Sequence, residues 1–179
     1  KATGKWILLL DPDEYLTKTL KKELKKITQR SDVDFVKMPR QNFIFGKWIK
    51  HANCWPDYLI RFFKSGTVTW QKEIHSQPVT TGNGITLLDS EKLAIKHNNY
   101  ENINQFILRA IRYSNIQADE LNAKEYKVKV SDFMLKPIQE FNSRFFFAEG
   151  YKDGVHGLIF CLLQGFAIGL IYAKLWEKQ

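Results

Sequence analysis

An α/β fold, with strands through residue 100 and helices from 101 to 179, is predicted by three features of the sequence. Five consecutive apolar residues, Trp6 to Leu10, run into the acids of Asp11-Pro12-Asp13-Glu14. Short β-type segments separated by turn residues follow as far as His97. From Asn102 onward the apolar residues recur at helical spacing. At 179 residues, 44% apolar and 26% charged, the composition excludes a disordered chain and allows a sizeable core. The net charge of +8 points to an anionic partner. Cys54 and Cys161 form neither a CxxC pair nor a metal-type spacing, and a reducing compartment is the simpler inference.

Trp6 to Leu10 has the length and composition of a buried core strand, and Pro12 predicts that it ends at Asp11. Leu16, Leu20, Leu24 and Ile27 then mark an amphipathic helix whose lysines form a solvated face. A short strand is predicted over 33–38. The stretch 39–56 has no period and reads as a long loop, in which Phe43, Phe45, Trp48 and Trp55 mix with Arg40, Lys47, Lys50 and His51. Residues 58–64 and 67–71, joined at Ser65-Gly66, predict a β-hairpin, and 85–88 and 93–97 further strands. Helices are predicted over 102–121 and about 126–147, the second kinked or interrupted at Pro137. Residues 154–173 contain no Asp, Glu, Lys or Arg. A membrane span, a surface helix and a buried docking helix all fit that length, and surface association fits the basic chain best.

The acids carry the chemistry. A cluster of carboxylates at the carboxyl end of a strand is where open α/β sheets place ligands. Carboxylate oxygen suits Mg²⁺ or Mn²⁺, which share their remaining positions with substrate phosphates. Asp11 and Asp13, two apart, could face one ion; the same acids also read as a polar turn, and spacing does not choose between the two.

With these residues in place, the chain resembles the inverting glycosyltransferases of family two, in particular the branch of the lipopolysaccharide core β-1,4-glucosyltransferases. Gly4-Lys5-Trp6-Ile7-Leu8-Leu9-Leu10-Asp11-Pro12-Asp13-Glu14 corresponds to that branch's "GDWILxLDADE". Trp55-Pro56-Asp57-Tyr58-Leu59-Ile60-Arg61-Phe62-Phe63-Lys64 corresponds to "YPDxQLRLFRK", Trp70 with Ile74-His75 to "W…VHE", and Gly150-Tyr151-Lys152-Asp153-Gly154 to "GFLDG". Phe45-Gly46-Lys47-Trp48-Ile49-Lys50-His51 and Tyr172-Ala173-Lys174-Leu175-Trp176-Glu177 complete an ordered match over nearly the whole chain. Pro12 replaces the usual alanine, and Ser76 stands where the family often has Glu.

The resemblance implies the C-terminal part of a GT-A fold with a mixed sheet. Residues 1–100 would be its acceptor- and metal-binding half and 101–179 a helical, membrane-associated region. The nucleotide-binding half is expected upstream, in a longer protein. The implied reaction moves a sugar, with inversion, from a nucleotide-diphosphate donor, foremost a UDP-sugar, to a glycan or lipid-linked acceptor of the cell envelope. Asp11, Asp13 and His75 would hold the divalent cation, and Arg61 and His75 the donor diphosphate. Asp57, assisted by Arg61, would be the general base, and Trp48, His51 and Trp55 would contact the acceptor. The expected location is the cytoplasmic face of the membrane, with no nucleic acid partner. Two other readings fit parts of the chain: a basic module binding nucleic acid or membrane, and a haloacid-dehalogenase-like phosphatase, whose later lysine and paired-aspartate motifs are missing.

Overall fold

Residues 2–70 and 78–179 are described by a computed structural model, in which a mixed, partly curled sheet is followed by a helical C-terminal region. The chain forms two units with separate cores. Unit 1 is Lys1–Asn42 with Pro56–Asn98; unit 2 is Phe43–Trp55 with Asn99–Gln179. The aromatic segment 43–55 thus clusters with the helices.

In unit 1, β1 (Trp6–Leu8) leads through a turn to β2 (Glu14–Leu16) and then to α1 (Lys18–Ile27). The Thr17 hydroxyl oxygen caps α1 by accepting from the Leu20 N–H at 3.0 Å. Leu20, Leu24 and Ile27 are buried, and Lys18, Lys21, Lys22, Lys25 and Lys26 are all exposed, as the spacing predicts. Next along the chain come β3 (Phe35–Ile44), β4 (Lys47–Trp48, in unit 2), β5 (Asp57–Lys64), β6 (Val68–Thr69), β7 (Val79–Thr80), β8 (Gly84–Thr86) and β9 (Ile95–Tyr100), the last residues of β3 and β9 also falling in unit 2. Among the described residues the main sheet runs β1-β5-β3-β9-β2, with β8 parallel to the start of β3.

This order corrects three expectations. First, β1 is an edge strand, antiparallel to β5, and Leu8 and Leu9 are exposed; it is not a core strand. An apolar run of this length does not distinguish burial on two faces from burial on one. Second, β3 continues through Pro39 to Ile44 where a loop was predicted. The β3–β5 register shifts between Val36 and Lys37, just before the proline, and proline inside a sheet is tolerated near such irregularities. Third, β6 does not fold back on β5. Both edges of β5 are taken by β1 and β3, so the residues after Ser65-Gly66 pair instead with β7 in a separate ribbon. Gln71, at the end of the predicted return strand, lies outside the described residues, as do Ile74, His75 and Ser76.

The two edges of the main sheet are consecutive in the chain. Five flat strands would separate β1 from β2 by roughly 19 Å. Residues 9–13 include a closed turn, with Glu14 N–H donating to Asp11 O at 3.0 Å. A closed turn brings its ends within about 7 Å, so the sheet must curl to let this short connection bridge its edges.

Unit 2 contains α2 (Ile103–Ala123), α3 (Asp132–Asn142) and α4 (Val155–Glu177), with a π-type turn over Ser143–Phe147. α3 starts at Asp132, later than predicted, and runs through Pro137 without interruption. Gly165 and Gly169 of α4 lie against Pro137, and a side chain at Gly165 would crowd the Pro137 carbonyl. Cys54 and Cys161 are both buried in this unit's core.

Two tests follow from this packing. A Cβ on Gly157 would lie 1.9 Å from the Gly150 carbonyl oxygen, whereas one on Gly169 would make ordinary contact with the Pro137 ring at 3.5 Å. Gly157→Ala is expected to destabilise unit 2 by about 1–3 kcal/mol or more. Gly169→Ala should be neutral or stabilising by up to about 1 kcal/mol, both read from urea unfolding. In unit 1, Asp34 accepts from Asn83 N–H at 2.8 Å and from Lys64 Nζ at 2.9 Å, which hold its carboxyl below the ordinary 3.8. That stabilisation is complete above the ordinary value and is lost as pH falls through the lowered folded-state value. Asp34→Asn is therefore expected to flatten the acid limb of the stability–pH curve.

Candidate active site

The strand alternation of unit 1 projects one polar group after another onto the same face of the sheet. On β3 these are Arg40 and Asn42; on β5, Asp57 and Arg61; on β9, His97. Glu14, the first residue of β2, lies opposite His97 in the ladder. The turn before it brings in Asp11 and Asp13, and its carboxylate is wholly enclosed.

Arg40 and Asp57 are register partners. Arg40 donates through Nε and Nη2 to Asp57 Oδ2, at 2.9 and 2.7 Å, and through Nη1 to Glu14 Oε1 at 2.9 Å. Burial opposes the charge on this guanidinium, but Asp57 and Glu14 outweigh it and hold its pKa above the ordinary arginine value. Asn42 Nδ2 adds a third donor to Asp57 Oδ2 at 3.0 Å, so all three converge on one oxygen. Oδ1 receives none of them, and the side chain keeps part of its surface open to solvent.

The network extends in two directions. Asn42 Oδ1 lies 2.7 Å from His97 Nδ1, and His97 Nε2 lies 3.5 Å from Asp13 Oδ2. Arg61 Nη2 bonds to Asp11 Oδ2 at 2.5 Å and to Glu14 Oε1 at 3.3 Å, and the Asp11 N–H donates to Glu14 Oε2. Among the described residues, the four carboxylates and two guanidiniums of this cluster give a formal excess of two negative charges.

Of the residues singled out in the sequence, Asp11, Asp13, Asp57 and Arg61 join this one network. Its hub, Arg40, and its links Glu14, Asn42 and His97 were not assigned roles. The alternation Met38-x-Arg40-x-Asn42 would have signalled them, had the strand not been ended at Pro39. His75 lies outside the described residues. Trp48, His51 and Trp55 belong to unit 2. There the two indoles pack edge to face at 5.1 Å, and Lys50 Nζ sits 4.2 Å from the Trp48 ring centroid. Buried Asp153 accepts from the His51 N–H at 2.8 Å, with the His51 ring alongside at 3.3 Å. Each of these side chains thus has a packing or anchoring role of its own.

Among the described residues, no group of three His, Cys, Asp or Glu side chains is arranged to enclose a metal ion. The donors that the cluster offers, the half-exposed Asp11 carboxylate and the Asp13 carboxylate, suit a hard cation that takes its other ligands from a phosphate.

Removing Arg40 would leave the enclosed Glu14 carboxylate and the partly exposed Asp57 carboxylate without their main partner. Arg40→Met is expected to cost about 3–5 kcal/mol in urea unfolding, and Arg40→Lys, which keeps charge but not the planar fork, an intermediate amount.

No protein-family model matches this chain, and no solved structure matches it.

Proposed function

We propose that this chain carries the acceptor-side half of a metal-assisted, inverting glycosyltransferase of GT-A type, acting on a nucleotide-diphosphate sugar. The observation that supports the reading is the convergence of Asp57 and Arg61 of β5 with Asp11 and Asp13 of the turn before β2 in one carboxylate-rich cluster. A basic nucleic-acid module would have no use for such a cluster.

In this reading Asp57 is the general base. Arg40 and Asn42 fix its Oδ2, which aims Oδ1 at the acceptor hydroxyl. The hydroxyl proton passes to Oδ1 as the acceptor oxygen attacks the anomeric carbon from the face opposite the nucleoside diphosphate. The carbon–oxygen bond to the diphosphate breaks in the same displacement, and the sugar's configuration inverts. Asp13 and Asp11 would hold a Mg²⁺ or Mn²⁺ ion, whose chemistry is to offset charge on the departing diphosphate. Arg61 keeps Asp11 and Glu14 in place, and its guanidinium also balances charge beside the diphosphate. A glycan or lipid-linked acceptor of the cell envelope fits this chemistry.

The test is transfer of labelled sugar from UDP-sugars by the natural gene product with Mn²⁺. Asp57→Asn is expected to lower kcat by about 10²–10⁴ with little change in donor KM. Asp13→Asn should raise the metal concentration needed for half-maximal rate. Absence of transfer, together with salt-sensitive nucleic-acid binding indifferent to both substitutions, would replace the enzyme with a binding module.

A further inference from the structure

α4 is too apolar on its outer face to be an ordinary surface helix. Its most apolar 18-residue window has a mean hydropathy of 1.9, yet only 28% of that window is buried. Val155, Leu158, Leu162 and Phe166 recur at intervals of three and four residues and are all exposed, and Trp176 ends the same stripe. Glu177 is the first charged residue on that side of the helix.

The other flanks of α4 are occupied. Phe106 of α2 meets Phe160 edge to face at 6.3 Å, and Lys178 Nζ pairs with Asp119 at 2.8 Å. On the α3 side, Gly165 and Gly169 receive Pro137. For α4 to cross a bilayer alone these contacts would have to break, or α2 would have to carry its charges into hydrocarbon. Lying along the interface keeps both neighbours in place.

The C-terminal end of the stripe supplies the charge. The segment joining α2 to α3 is strapped onto the end of α4: Gln179 Nε2 donates to Tyr126 O at 2.5 Å, the Val128 N–H donates to Gln179 Oε1 at 3.2 Å, and Tyr126 packs beside Tyr172. This strap presents Lys124, Lys127 and Lys129, all exposed and, among the described residues, none paired with a carboxylate. Val130, 87% exposed, follows them, and Trp176 is exposed nearby. Unpaired ammonium groups around apolar and indole tips complement an anionic headgroup layer over an acyl region.

We propose that unit 2 docks on an anionic lipid bilayer through the outer face of α4, with the lysine strap reading the headgroups. This surface is independent of the carboxylate cluster of unit 1, so it stands or falls apart from the transferase reading.

Co-sedimentation of the natural gene product with phosphatidylcholine vesicles, with and without phosphatidylglycerol, needs no donor or turnover. Binding is expected to the anionic vesicles, weak on the neutral ones, and released by salt. Replacing Lys124, Lys127 and Lys129 together by Gln should reduce partitioning on the order of a hundredfold, at about 1 kcal/mol per lysine. Leu162→Ser with Phe166→Ser should abolish it while circular dichroism is unchanged. Equal binding to both vesicle types, retention through salt and alkaline extraction, or no binding at all would overturn the proposal. So would concentration-dependent self-association removed by Leu162→Ser, which would make the stripe a contact between copies.

Discussion

The organisation of unit 1 depends on one partly buried guanidinium. Arg40 lies on β3, inside the sheet, and reaches the neighbouring strand through Asp57 and the far edge through Glu14. Only a curled sheet allows both contacts, because a flat one would hold the β2 edge out of range. An arginine so placed adds little net stability, since desolvation consumes most of what the carboxylates return. Its effect is on geometry. Both acids are held with their hydrogen bonds already made, so a reaction there would need little reorganisation.

The parts of the fold legible in the sequence are those set by local rules. Leu20, Leu24 and Ile27 define the buried face of α1 by spacing alone, and Asn102 and the apolar period of 103–121 mark α2 correctly. Errors arose where partners distant in sequence decide the outcome. Nothing near Ser65-Gly66 announces that β5 is already flanked on both sides. Nothing near Pro39 announces that β3 continues beyond it, and with β3 cut short the Arg40–Asn42 alternation was hidden. Pro137 looked like a helix breaker, yet the bare glycine face that receives it lies on α4.

The site shows the same division. Asp11, Asp13, Asp57 and Arg61 were visible as residue types suited to the chemistry, and they do meet. The groups that hold them became visible only with the strand register. An acid turn can be found by eye in a sequence. The arginine that orients it cannot, because Arg40 lies 26 positions from Glu14 and 17 from Asp57.

The linkage of the two sheet edges through one short turn also bears on how the molecule assembles. Trp6 pairs with Lys64 and Glu14 with His97, the sequence-remote partnerships at either rim, and Asp11 and Asp13 sit in the bridge between them. Pairings so far apart along the chain raise contact order and close late, after the loops between them have lost their entropy. The carboxylate constellation therefore exists only once both rims have paired. Partly folded chains would hold these acids apart, without the charge density that attracts a cation.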